Sequence, residues 1–346
     1  MATLILHNGY NKTGTTALQN FLLANRAALL KRGILYPEYG ISRQHAVHQE
    51  IAAHHMFAGH FCPKAPGHFR DGLDTQTAVD KLMDEVRRSG ADTVVLSSEM
   101  MTFFDDVDAA SFKTLLEQFD EVKLVTYLRR QDRYAYSYYN SALRNGRCAT
   151  GFDEFFATIN FDYHDNLSKW AGLFGEDNII VRAYTPGDFA SGSIQADFLD
   201  AVGIEYGDDL VVAEDFPNPA LPKSLVYLLQ DINKFPHRNH WALVSYIQDF
   251  LNGLEGLPEA PDYFSREQRL AMLADYQASN EALAQRFNDG VPLFDEEPPA
   301  DVGATGNFDD PARLLLARLF IDQWNKAGTE SPSGRSDSLL RRLLGK

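Results

Sequence analysis

A chain of 346 residues, 45% apolar and 23% charged, is long enough for one large α/β domain or two smaller ones, and it excludes a mini-scaffold. A formal net charge of −16 argues against an extended basic groove for nucleic acid or an anionic membrane, so any bound anion must be captured locally. Two cysteines, Cys62 and Cys148, with no CxxC pair, exclude a disulfide framework and a zinc cage. A reducing, cytoplasmic setting is expected: Leu4-Ile5-Leu6 is too short for a signal-peptide core, and no run of 18 apolar residues occurs.

Thr3 to His7 reads as a short buried strand that runs through Gly9-Tyr10-Asn11-Lys12-Thr13-Gly14-Thr15-Thr16 into a helical pattern from Ala17 to Lys31. Leu18, Phe21, Leu22, Leu29 and Leu30 give that helix one apolar face, and Gly33 is placed to stop it. The strand Ile34-Leu35-Tyr36 follows, closed by Pro37. Residues 41–70 hold six of the ten histidines among Gly and Pro breaks and read as a partly helical lid or insertion. A helix is predicted over Gln76–Ser89, a buried strand over Thr93–Leu96, a short helix over Ser111–Phe119 and a strand over Val122–Leu128. A helix over Gln131–Arg144 and a fifth strand over Asn178–Val181 complete this half. Strands separated by helices imply a parallel sheet with helix-covered faces.

Beyond about Gly207 the strand signal stops. Pro217, Pro219 and Pro222 mark a loop, and helices are predicted over Ser224–Asn233, Trp241–Leu251 and Ser265–Phe287, the last opened by a Ser265/Gln268 capping box. The expected organisation is an α/β core over residues 1–206, a mainly helical extension over 207–328 that shapes an acceptor pocket, and a flexible tail over 329–346.

The loop Gly9–Thr16 has the spacing of a phosphate-binding G-x-x-x-x-G-K-[ST] loop, except that Thr15 stands where the lysine belongs and Lys12 sits three residues earlier. In a nucleoside triphosphatase the lysine at that place reaches the β and γ phosphates and the next hydroxyl binds magnesium. Here the amides of Thr13 to Thr16 and the helix dipole suit an oxyanion without a metal-bound triphosphate. The strand Val122–Leu128 ends in Arg129 and Arg130, where a triphosphatase would place a carboxylate for magnesium. Eight residues beyond Arg129, Ser137 lies on the following helix, and arginine with hydroxyl suits a second phosphate. Tyr134, Tyr136, Tyr138 and Tyr139 on that helix read as packing residues. Asp132 and Glu121 are candidate ion partners for Arg130 and Arg133.

Together, Lys12-Thr13-Gly14-Thr15-Thr16 and Arg129-(seven residues)-Ser137-Tyr138-Tyr139 resemble the two nucleotide signatures of the sulfotransferases that use 3′-phosphoadenosine 5′-phosphosulfate (PAPS). The likeness is strongest to bacterial members with an Asn-Lys-Thr-Gly-Thr-Thr loop, here Asn11 to Thr16, and it fades in the C-terminal half. It implies a three-layer, P-loop-like α/β fold, PAPS as donor and adenosine 3′,5′-bisphosphate (PAP) as product. The loop would hold the 5′-phosphosulfate, and Arg129 with Ser137 the 3′-phosphate. The Arg-Lys-Gly triplet that closes the nucleotide site in the cytosolic branch has no counterpart in this sequence.

In-line sulfuryl transfer builds negative charge on the leaving phosphate, which Lys12 and the loop amides can stabilise, and it needs a general base for the acceptor hydroxyl or amine. Glu99, in Leu96-Ser97-Ser98-Glu99 at a strand end, is the first candidate, its carboxylate expected to be raised toward a useful pKa; it could equally cap a helix or pair with a cation. His45 and His48 are the second choice. His45, His48, His54 and His55 have a conceivable metal-ligand spacing, but no HExxH or cysteine pattern accompanies them, and no metal site is assigned. A small molecule or glycan is expected as acceptor; its identity and the oligomeric state are not legible in the sequence. The competing readings are a P-loop kinase or triphosphatase and a non-catalytic interaction protein.

Overall fold

The computed structural model describes residues 2–42, 52–157, 159–185, 189, 192–212, 223–237, 240, 242–244, 265–294, 297–298, 317, 320–322 and 324–325. They fall into two compact units.

The first unit comprises residues 1–131, 161–216 and 274–296 and is built on a five-stranded, all-parallel sheet. Its strands are β1 (Thr3–His7), β2 (Ile34–Leu35), β3 (Thr93–Ser97), β4 (Glu121–Leu128) and β5 (Ile179–Ala183), in spatial order β2-β3-β1-β4-β5. β1 is central, with His7 level with Ser97 of β3 on one side and Val125 of β4 on the other. Continuous apolar runs such as Leu4-Ile5-Leu6 are what a strand covered on both faces requires, and all three of these side chains are buried. On one face, Ile5, Val95, Val125 and Tyr127 pack against α1 (Thr15–Ala24), α2 (Arg26–Lys31) and α9 (Ile194–Ala201) through Leu18, Phe21, Leu22, Leu29, Phe198 and Leu199. By strand alternation the opposite face carries Leu4, Leu6, Val94 and Leu124. There α8 (Tyr163–Phe174) lies along β4 and β5, its Trp170 edge-on to Phe104 and Phe112.

The predicted helix from Ala17 to Lys31 is two helices. Asn25 breaks it, because its side chain donates to the Phe21 carbonyl and pairs with both backbone groups of Val211 (2.8 Å each). Gly33 then takes a φ of 78°, the left-handed stop expected of it. Within the histidine-rich stretch the described part holds α3 (His55–Ala58), which precedes α4 (Thr75–Ser89) and α5 (Ala109–Leu116). Residues 43–51 lie outside the described residues.

The second unit comprises residues 132–160, 217–273 and 297–346. Within it, α6 (Gln131–Arg144), α7 (Phe152–Phe156) and α10 (Lys223–Ile232) pack through Tyr139, whose ring meets Phe152 and Phe155 and whose hydroxyl is bonded by Gln230. Asn233 donates to the carbonyls of Leu143 and Cys148. Tyr134 and Tyr139 are buried, as packing residues should be. Asp132 is fully buried and pairs with Arg269 at 2.6 Å, a partner that the sequence did not suggest. The helix predicted over Ser265–Phe287 divides at Tyr276 into Arg266–Asp275 and Gln277–Phe287, the latter belonging to the first unit. Its capping box is present: Ser265 Oγ accepts from Gln268 N, and Gln268 Oε1 accepts from Ser265 N. Most of the helix predicted over Trp241–Leu251, and the tail from Thr329, lie outside the described residues.

Candidate functional site

β1 and β4 are adjacent strands whose onward connections lead to opposite sides of the sheet, β1 toward β2 and β4 toward β5. In an open α/β sheet the crevice beyond the carboxyl ends of two such strands is where ligands bind. The loop Gly9–Gly14 leaves β1 and Arg129 leaves β4 at this point.

Lys12 and Gly14 adopt positive φ, 69° and 75°. For lysine this is an uncommon and strained conformation, held by its surroundings. Tyr10 is one of the anchors: its ring is buried edge-on against Tyr163, and its hydroxyl accepts from Asn166 Nδ2 at 2.8 Å. Thr13 Oγ1 donates back to the Tyr10 carbonyl at 2.6 Å. Glycine is needed at both ends of the turn. A Cβ on Gly9 would sit 2.6 Å from His7 Nε2, and one on Gly14 2.6 Å from Ile194 Cδ1 and 2.8 Å from Tyr184 Cε2. α1 begins at Thr15 with no side-chain cap, so the amides of its first turn have no side-chain acceptor at its N-cap. Within the loop Thr13 and Thr15 are buried, while Asn11 and Thr16 are exposed.

Arg129 closes on this loop. Its Nη1 donates to the Lys12 carbonyl at 3.3 Å, its guanidinium lies 5.6 Å from the centroid of the Tyr184 ring, and its own carbonyl accepts from the Tyr163 hydroxyl at 2.7 Å. The cationic strand end and the glycine turn are therefore in contact. Ser137 lies half-buried on α6, in the second unit.

Glu99 follows β3, the other neighbour of β1, with its side chain 14% exposed. Gln19 Nε2 donates to Glu99 Oε2 (3.0 Å) and to Ser97 Oγ (3.0 Å), and the Thr15 side chain also bonds the carboxylate. His55 Nε2 is 3.6 Å from Glu99 Oε2. Burial pushes the Glu99 carboxyl upward, but His55 and the bonds from Thr15 and Gln19 outweigh it and hold the group below its ordinary value. This corrects the expectation of a raised pKa: the strand end is not a dry apolar pocket but a site with donors on two sides. Burial holds His55 below its ordinary value against the opposing pull of Glu99.

Beneath the loop, His7 Nδ1 meets Ser97 Oγ at 2.8 Å, while its buried Nε2 has no hydrogen-bond partner. Burial lowers the ring to about 4, so it is neutral. His54 accepts from Ser97 N–H at Nδ1 (3.2 Å) and donates from Nε2 to the Pro37 carbonyl (3.0 Å), which satisfies both ring nitrogens of a neutral histidine. Among the described residues no group of three or more His, Cys, Asp or Glu could hold a metal ion, and no helix is long and apolar enough to cross a membrane. His45 and His48 lie outside the described residues.

Sequence reading passed over Gln19, Tyr184, Tyr163 and the part Thr15 plays toward Glu99. Thr15 and Gln19 are four residues apart on α1, hence on one face of the helix, and that spacing was the available signal.

No family model matches the chain. Over 171 residues it is 32% identical to an uncharacterized protein of Archaeoglobus fulgidus, a match that spans 48% of this chain and 45% of that protein. Among solved structures it is similar to a sulfotransferase from Alicyclobacillus acidocaldarius (16% identity, 62% of this chain and 86% of that one, TM-score 0.41). It is also similar to the sulfotransferase domain of the Synechococcus PCC 7002 olefin synthase (13%, 72% and 94%, TM-score 0.31). Retinol dehydratase in complex with androsterone and the inactive cofactor PAP is a third (14%, 83% and 81%, TM-score 0.32).

Proposed function

We propose that this protein is a sulfotransferase that takes a sulfuryl group from PAPS and passes it to a hydroxyl or amine of a small molecule or glycan. The observation that carries the reading is the contact between Arg129 and the Lys12 carbonyl, which puts a guanidinium beside a glycine turn at the mouth between β1 and β4. The residues present fit the donor: a turn too tight for a Cβ at Gly9, an α1 start without a side-chain cap, and two cations, Lys12 and Arg129. PAPS, when bound, supplies an activated sulfuryl group on a phosphate.

In this reading the loop and α1 amides from Thr13 to Thr16 and the Lys12 ammonium hold the 5′ end of the donor and neutralise charge that grows on its phosphate. Arg129 takes the 3′-phosphate, which a planar guanidinium can grip through two parallel N–H donors. Glu99 is ionised across the neutral range and accepts the proton that the acceptor gives up. Gln19 and Thr15 hold its carboxylate, so one helix carries both the anion loop and the donors that orient the base.

Thermal unfolding in the presence of nucleotides tests the reading. PAP at about 100 times its Kd should stabilise the protein by ~2.7 kcal/mol, and magnesium ATP should leave it unchanged. The reverse pattern would favour a kinase or triphosphatase, and no response to either would favour a non-catalytic interaction protein. Release of PAP from PAPS across a panel of hydroxyl and amine acceptors then identifies the acceptor, and Glu99→Gln should abolish that release with PAP affinity retained.

A further inference from the structure

We propose that His55 is a positioning residue for Glu99: fixed through Nδ1 by Ser98, it turns its Nε2–H toward the carboxylate and governs how readily that carboxylate takes a proton. The proposal rests on the sulfotransferase reading of the site, and it concerns a residue outside the two anion signatures.

The groups on either side of the His55 ring favour a proton on Nε2. Ser98 caps the turn after β3 by accepting from Met100 N–H at 3.3 Å. Having accepted there, the hydroxyl still has its own hydrogen to give to His55 Nδ1, 2.8 Å away, and the ionised Glu99 carboxylate on the Nε2 side can only accept, so a ring proton on Nε2 serves both neighbours. With Nδ1 as acceptor, the neutral ring carries its proton on Nε2, the atom 3.6 Å from Glu99 Oε2. The ring is held in place by more than this bond. It packs edge-on to Phe69 with centroids 5.3 Å apart, and the preceding residue is tied to β3 by His54 N donating to the Ser97 carbonyl at 2.8 Å. A segment distant in sequence is thus pinned to the end of β3 so that His55 faces Glu99.

Among the described residues, His7, Tyr36 and His54 also interact with this pair. Burial lowers His7 against the opposing pull of the Glu99 charge, and burial and the Glu99 charge both raise Tyr36, so His7 and Tyr36 are uncharged near neutrality. His54, burial-lowered to about 4, interacts with His55 and is likewise neutral. His55 is therefore a group beside Glu99 that gains a positive charge as pH falls, and loss of His55 leaves a mostly buried carboxylate held by Thr15, Gln19 and its own backbone amide, with no cation supplied by His55. Burial then prevails and the carboxyl shifts upward.

The test uses the full chain with 13Cδ-labelled glutamate, the Glu99 resonance being assigned by its loss in Glu99→Gln. In His55→Asn the Glu99 titration should move up by about one unit or more. The acid limb of PAPS hydrolysis, in which water is the acceptor and PAP and sulfate are released, should move with it. Ser98→Ala, which removes the bond to Nδ1 and leaves the ring in place, should shift both in the same direction by less and serves if His55→Asn does not fold. An unchanged Glu99 titration in the folded variants overturns the pairing. Failure of the wild type to bind PAP, with the titration shift present, overturns the catalytic role and the sulfotransferase reading together while leaving the electrostatic pair established.

Discussion

Acidification from pH 7 toward 4.5 should strip this protein of a large part of its stability before its carboxylates titrate. His7 and His54 are both 0% exposed, and both have ring values lowered from 6.5 to about 4. For His7 burial dominates, with Glu99 opposing; for His54 burial again dominates, opposed by its hydrogen bonds to the Pro37 carbonyl and Ser97. Between pH 6.5 and 4 the unfolded chain takes up protons that the folded rings refuse, so stability is fully present above pH 6.5 and falls through this window. At 1.36 kcal/mol per unit, the shift corresponds to about 3 kcal/mol for each ring once pH reaches the folded value, or about 6 kcal/mol together. That is comparable to the whole stability of an ordinary domain. The carboxylates held low by hydrogen bonds, Asp71, Asp74 and Asp108, have an ordinary value of 3.8 and lose their contribution below the histidine window. Urea unfolding monitored at pH 7.5, 6.5, 5.5 and 4.5, with ring Cε1–H titration by NMR, separates the contributions. A urea midpoint that stays constant between pH 7 and 5, or His7 and His54 rings that titrate near 6.5 in the folded protein, would refute the reasoning.

Lys12→Ala should reduce PAPS turnover by about two powers of ten or more, the scale of a lost oxyanion donor; near-normal turnover removes Lys12 from the chemistry. Gly14→Ala places a side chain at φ 75° against Ile194 and Tyr184 and should cost about 1–3 kcal/mol in chemical unfolding along with most PAP affinity. Wild-type values for both would show that the turn is looser than described. Arg269→Met removes the guanidinium that pairs with the buried Asp132 at 2.6 Å and should cost about 3–5 kcal/mol. Adding Asp132→Asn should restore much of that loss, and a double variant no better than the single would contradict the assignment.

Much of the sheet was legible because its strands are covered on both faces and so read as unbroken apolar runs, as Thr93–Leu96 and Val122–Leu128 do. The α6 limits and the Ser265/Gln268 box were legible for a similar reason, since caps and helix periodicity are local signals. The break at Asn25 was not, because it depends on Val211, 186 positions away in sequence, and no window around Asn25 contains that partner. The surroundings of Glu99 escaped for the same cause. Its identity as a polar strand end was visible, but its donors come from α1 and α3, and they reverse the expected direction of its pKa. Two helices passed over in sequence, α8 and α9, do carry local start signals: Asp162 and Ser193 cap them by accepting from Asp165 N and Ala196 N.

The most direct test of the central claim is calorimetric binding of PAP and of its analogue without the 3′-phosphate, adenosine 5′-monophosphate, to the wild type and Arg129→Ala. If Arg129 and the Lys12 loop grip one nucleotide from two sides, the substitution weakens PAP by about tenfold or more, as the loss of a charged hydrogen bond of 1.5–3 kcal/mol requires, and leaves the monophosphate nearly unchanged. Equal losses for both ligands, or no binding of PAP by the wild type, would contradict it.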